Sequence, residues 1–182
     1  MPRRWLREQG IKNTHRVHVL SLRGRVGRFD LLDDQVRARF ARMIREVQGA
    51  VLLFDCLRPV LDALRLSEDK DAGRFLVAFD ALLAESGASE AVVIHHTGHS
   101  GQRSRGDTRL RDWPDVEWQL IREATGGERA AEARRFFKAY GRDVVVPKGL
   151  LDYDEETRRV TLAGGSRRQT AALRCSQRLR AP

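Results

Sequence analysis

Lysine is scarce in this chain. Only Lys12, Lys70, Lys138 and Lys148 contribute to its 34 basic residues, and no glycine is followed directly by lysine. The pattern G-x-x-x-x-G-K-[ST], whose backbone amides and lysine cradle nucleotide phosphates, is therefore absent. Cysteine is scarcer still. Cys56 and Cys175 lie far apart and form no C-x-x-C pair, which leaves neither a disulfide framework nor a cysteine-based zinc ligand set. No G-x-S-x-G elbow occurs, so nothing marks a serine hydrolase. No apolar run approaches a membrane span, and Met1-Pro2-Arg3-Arg4-Trp5 lacks the apolar core of a secretory signal. A cytoplasmic protein with no membrane partner is expected. There is no internal repeat.

The chain has 182 residues, 41% of them hydrophobic, enough for one domain with a real core. The net charge of +9 is unevenly spread: residues 1–46 carry 12 basic and 5 acidic groups, and residues 157–182 carry 7 arginines and no acid. The middle is mildly acidic. Basic ends of this kind can contact the phosphates of nucleic acid. The competing reading is that arginine in place of lysine reflects base composition and that a charge run is a solvated face.

Hydropathy patterning predicts a mixed α/β order. Arg4 to Gln9 reads as the end of a helix, and Arg16 to Leu22 alternates like a strand through Val17 and Val19, with Gly24 and Gly27 marking a loop. Leu32-Asp33-Asp34 opens an amphipathic helix to about Val47, burying Val36, Phe40, Met43, Ile44 and Val47. A second helix is expected from Glu68 to Glu85, with Phe75, Leu76, Phe79, Leu82 and Leu83 inward and Gly87 as its stop. After Pro114 short strand-like segments follow at Val116–Ile121, Arg135–Tyr140, Val144–Val146 and Arg159–Leu162, spaced for antiparallel hairpins.

Two apolar runs carry the chemistry. Val51-Leu52-Leu53-Phe54 ends in Asp55, and the chain then turns at Cys56-Leu57-Arg58-Pro59. Ala91-Val92-Val93-Ile94 ends in His95-His96-Thr97 and opens into a polar stretch through Asp107. Apolar strands this short suit a sheet covered by helices on both faces. Each would deliver polar groups at its C-terminal end, the edge where open α/β sheets bind ligands. The plain alternative makes Asp55 a turn cap and the histidines satisfied polar residues; the order and spacing of the two runs favour a site. Cys56 reads as a small buried residue beside it.

Leu52-Leu53-Phe54-Asp55-Cys56-Leu57-Arg58, His95-His96-Thr97-Gly98, Ser104-Arg105-Gly106-Asp107-Thr108 and Asp112-Trp113-Pro114-Asp115 together resemble the RecA-like AAA family ATPases of the RepA hexameric helicase type, P-loop NTPases found in plasmids, phages and integrated elements. The resemblance covers residues 1–162. It implies an α/β fold: an incomplete RecA-like P-loop NTPase sheet flanked by helices, then short antiparallel strands. By composition, with Ser, Thr, Gln and Arg and few large apolar residues, residues 163–182 read as a basic tail, disordered or a helix without a core face.

The resemblance further implies that Asp55 is the Walker B aspartate, which orients Mg2+ and its water shell for ATP. His96, or its neighbour His95, resembles the sensor of the γ-phosphate. Arg105 resembles the arginine finger that enters a neighbouring subunit's site, where an added positive charge stabilises the spread negative charge of phosphoryl transfer. Arg103, Arg109 and Arg111 are alternatives for that role, and Lys138 and Arg142 are candidates for the subunit interface. ATP, single-stranded DNA and a homo-oligomeric, hexameric ring are the expected partners of the complete protein. The family's phosphate-loop lysine and catalytic glutamate lie on strands preceding the first helix, and neither is in this sequence. Residues 1–182 thus read as the C-terminal portion of such an ATPase, separated from it by a late start site or a gene break and inactive alone.

Two other functions compete. His95, His96 and His99 could converge on a metal ion with Asp55 nearby. A non-catalytic DNA-binding or protein-interaction module is the stronger rival, since basic ends serve it without a nucleotide site.

Overall fold

The structure is a computed structural model describing residues 2–96, 109–123 and 133–166. The chain is mixed α/β and divides into two compact units, Met1–Trp113 and Pro114–Pro182. Among the described residues no helix is long and apolar enough to cross a membrane.

The first unit runs α1 (Pro2–Glu8), two short 3-10 turns (Thr14–Arg16 and Val26–Arg28), α2 (Asp34–Glu46), β1 (Val51–Asp55), α3 (Leu57–Ala63), α4 (Ala72–Ser86), β2 (Glu90–Ile94) and α5 (Arg109–Asp112). Helix α2 starts where Asp33 accepts hydrogen bonds from the backbone N–H groups of Gln35 and Val36, at 2.8 and 3.1 Å, satisfying donors that have no partner within the helix. Phe40 is buried and Val36 and Ile44 pack against the core, but Met43 and Val47, expected on the buried face, are exposed. Helix α4 ends at Gly87, whose φ of 75° closes the last turn with an N–H bond of 2.9 Å to the Leu83 carbonyl; only glycine adopts that conformation without steric cost.

Strands β1 and β2 are parallel and in register from Val51↔Glu90 to Asp55↔Ile94. Strand alternation sends Leu52 and Phe54 to the same side, where they meet the core. Phe54 is the anchor. Its ring lies 5.3, 6.1 and 5.7 Å from those of Phe29, Phe75 and Phe79, within the range in which aromatic pairs gain energy beyond area burial.

The opposite side of β1 differs from the doubly covered sheet expected from sequence. Val51 and Leu53 are 59% and 69% exposed, because the packed helices lie on the Phe54 side. Three local expectations also change. Arg16–Leu22 forms no strand: Val19 and Leu20 are exposed, and alternation alone cannot hold an extended segment that finds no ladder partner among the described residues. The segment after Asp55 is helical from Leu57, since Pro59 falls in the first turn, where its missing N–H costs nothing. Helix α4 begins at Ala72 rather than Glu68, because Ser67–Asp71 closes on itself: the Asp71 carboxylate accepts from the Ser67 N–H at 2.9 Å, and the Asp71 N–H donates to the Ser67 carbonyl at 2.7 Å.

The second unit is an antiparallel meander of β3 (Val116–Arg122), β4 (Arg135–Gly141), β5 (Val145–Asp154) and β6 (Arg159–Ser166). Phe136 and Ala139 are buried. The β5–β6 turn is held by the Asp154 carboxylate, which accepts from the backbone N–H groups of Glu156 and Thr157 at 2.9 and 3.0 Å. Bonding to the Thr157 backbone first, then to its side chain, keeps this carboxyl below its ordinary pKa. Strand β6 includes residues 163–166, which the sequence places in the tail; residues 167–182 lie outside the described residues.

Candidate functional site

The parallel register puts the end of β1 beside the end of β2, so Asp55 and the His95-His96 pair leave the sheet at one edge. Successive side chains of an extended chain point to opposite sides, and the two histidines separate accordingly. His95 meets the Glu68 carboxylate in a close Nε2–Oε1 contact, with both side chains largely buried. Arg58 approaches the other Glu68 oxygen at 4.0 Å and also pairs with Asp62 at 3.7 Å. His96 is exposed and joins Asp55 and Cys56, the nearest ligand atoms of the three lying within 4.8 Å of one another. The peptide bond joining Asp55 to Cys56 is cis.

The electrostatics of this cluster are uneven. Asp55 is exposed and forms no ion pair with a described residue. Cys56 is half-buried; its burial, and secondarily the Asp55 charge, push the thiol above its ordinary pKa. At neutral pH the thiol therefore keeps its proton and is a poor nucleophile. An exposed carboxylate with an imidazole beside it can hold a hydrated divalent cation through oxygen, while the imidazole N–H donates to an anionic oxygen nearby. The same three residues match the oxygen, sulfur and nitrogen donors of a zinc-class ion, provided the thiol proton is displaced.

The remaining candidates fall elsewhere. Arg105, Arg103 and His99 lie outside the described residues, as does the Arg111 side chain. Arg109 packs across Gly73, where an added Cβ would come within 2.3 Å of the Arg109 Cδ. It lines an open cleft with Arg37, Arg74 and Val77. Lys138 stands over the Tyr140 ring at 5.7 Å, and Arg142 pairs with Asp115 at 3.5 Å; both belong to the second unit. None of these three is in the Asp55 cluster. Of the converging histidine triad, His99 lies outside the described residues and His95 is engaged by Glu68. Sequence reading missed Glu68, which sits in a polar turn with no periodicity or motif to single it out.

No family model, no curated protein and no solved structure matches the chain.

Proposed function

We propose that the Asp55–His96 edge is the magnesium- and γ-phosphate-facing half of an ATP-hydrolysing site of the RecA-like type, similar to that of RepA hexameric helicases and serving DNA replication or helicase loading. The observation that carries this reading is the convergence of an un-neutralised carboxylate and an exposed imidazole from the ends of adjacent parallel strands. In this reading Asp55 orients the hydration shell of Mg2+, His96 donates to a terminal phosphate oxygen, and Arg105 acts on a neighbouring subunit's nucleotide. The phosphate cradle comes from other polypeptide, so turnover and the hexameric ring belong to the complete assembly. The exposed apolar row Val51 and Leu53 supports this, because further strands and helices would cover it.

Titration of isotopically labelled protein with Mn2+ and ATP tests the site. Mn2+ replaces Mg2+ at oxygen ligands, and its unpaired electrons broaden nearby resonances. His96 and Phe54 should broaden, and Asp55→Asn should abolish the effect. Broadening that survives Asp55→Asn overturns the assignment.

The three-residue donor set favours a second reading, a zinc-class ion held directly by Asp55, Cys56 and His96. Co2+ would then give a thiolate charge-transfer band that Cys56→Ser removes. A non-catalytic DNA-binding or protein-interaction module remains the rival to catalysis: DNA binding that is salt-sensitive and indifferent to ATP favours it.

A further inference from the structure

Independently of the nucleotide reading, we propose that one face of the antiparallel sheet of the second unit is a stacking platform for single-stranded nucleic acid. The register defines the face. Trp118 lies opposite Ala139, Leu120 opposite Phe137, and Arg122 opposite Arg135, with Leu151 and Leu162 continuing the arginine row. Directly opposed residues share a side of a sheet, so these side chains form one surface. Trp118 is 64% exposed and Leu120 76% exposed, and the Trp118 ring stands edge-on to Phe137 at 6.5 Å. Tyr153, opposite Val160 in the next row of the same face, is also exposed.

Charge selects the occupant. The acidic residues of these strands, Glu117, Asp152 and Asp154, are opposed to Tyr140, Thr161 and Arg159; that is the other face. Among the described residues of these strands the Trp118 face carries no carboxylate. It carries Arg122 and Arg135 directly opposite each other, both exposed and neither in an ion pair with a described residue. Like charges in opposed positions destabilise a sheet unless an anion lies between them. Exposed aromatic rings with sequence-neutral π-faces, bordered by two opposed arginines, are what a single strand needs: bases stack and the backbone is neutralised. A purely apolar protein partner would leave the two arginines unpaired. A duplex keeps its bases stacked inside and offers nothing to Trp118.

The test is fluorescence anisotropy of the full 182-residue chain with a labelled oligothymidylate and with a duplex of equal length. The single strand should bind more tightly. Trp118→Ala should weaken it roughly fivefold to a hundredfold, the range for loss of one stacked base, and Trp118→Phe should restore most of the affinity. Replacing Arg122 and Arg135 by serine should flatten the dependence on salt by about 1.4 in log–log slope, two phosphate contacts' worth. In the unsubstituted protein the oligonucleotide should protect Trp118 from hydroxyl-radical oxidation, a readout that needs no variant to fold. The proposal is overturned by absent binding, by binding without protection of Trp118, or by binding lost on removing Arg174, Arg178 and Arg180 while Trp118→Ala binds normally.

Discussion

The imidazole of His95 meets the carboxylate of Glu68, 27 positions earlier in the chain, and this pairing leaves His96 as the histidine that faces Asp55. A structural histidine and a site histidine therefore sit next to each other in sequence. Glu68→Ala or His95→Ala strands a largely buried polar partner and should destabilise the first unit by about 1–3 kcal/mol in urea unfolding. His96→Ala, at an exposed position, should stay within about 0.5 kcal/mol of the parent while abolishing the Mn2+–ATP effect. Equal destabilisation by His95→Ala and His96→Ala would contradict this division of roles.

On the proposed ATPase reading, purified 1–182 should show no appreciable magnesium-dependent ATP hydrolysis, because in that reading Asp55 and His96 would act on phosphates that an amide cradle and lysine must first hold. Steady-state phosphate release measures this. Turnover that Asp55→Ala abolishes would refute it.

In the oligomeric ATPase proposed above, with Arg105 as its finger, Arg105→Ala should leave nucleotide binding nearly intact and lower turnover by about a thousandfold or more, since a finger's charge matters most in the transition state. Asp55→Ala should fail through lost magnesium placement. Mixing the two inactive variants creates interfaces that pair an intact Asp55 with an intact Arg105, and partial activity should return. If mixed rings form and stay inactive, Arg103 or Arg109 takes the role.

Cys56 gives a pH prediction. Its thiol pKa is raised in the folded protein, chiefly by burial, so the folded state holds the thiol proton more tightly than the unfolded chain does. The associated stability is present at neutral pH and is lost as pH rises through the folded-state value. Alkylation of Cys56 by a maleimide, followed in a Cys175→Ser background, should accelerate only above the ordinary thiol range. Asp55→Asn should shift that rise downward by a small amount, as it removes the lesser of the two causes. A rate already at its plateau at neutral pH would overturn the assignment of Cys56 as a protonated thiol.

Val51 and Leu53 form an exposed apolar row. Leu53→Glu should leave the unfolding free energy of the first unit within about 0.5 kcal/mol and reduce self-association in sedimentation, because edge and face exposure of a short sheet invites other chains. A loss of several kcal/mol would show that the row is packed in solution.

The elements legible in the sequence are those whose signals are local. The apolar runs ending at Asp55 and Ile94 appear as strands, Asp33 and Gly87 delimit helices as their capping chemistry requires, and the segments after Pro114 form hairpins. What was illegible depends on tertiary context. Val17 and Val19 alternate correctly but lie in none of the strands of the described residues, and Pro59 looks like a turn residue until its place in the first turn of α3 is known. Of the candidate cluster, Asp55 and His96 are visible as polar ends of apolar runs. The contribution of Cys56 and the capture of His95 by Glu68 depend on a fold that brings residues 55–58, 68 and 95–96 together, which no spacing rule encodes.

The in-register pairing of β1 with β2 also constrains how this chain can vary. The crossover between the strands can lengthen or shorten at its Arg65–Lys70 turn without displacing Asp55 from His96, because five matched strand positions fix that distance. An insertion or deletion of one residue within β2 does not merely shift the edge. An insertion moves His95 into the place of His96 beside Asp55 and sets Ile94 against Glu68, whereas a deletion moves His96 into the place of His95 against Glu68 and carries His95 back along the strand. A chain with adjacent identical imidazoles therefore keeps an imidazole at one of the two places, beside Asp55 or against Glu68, through a single-residue slip.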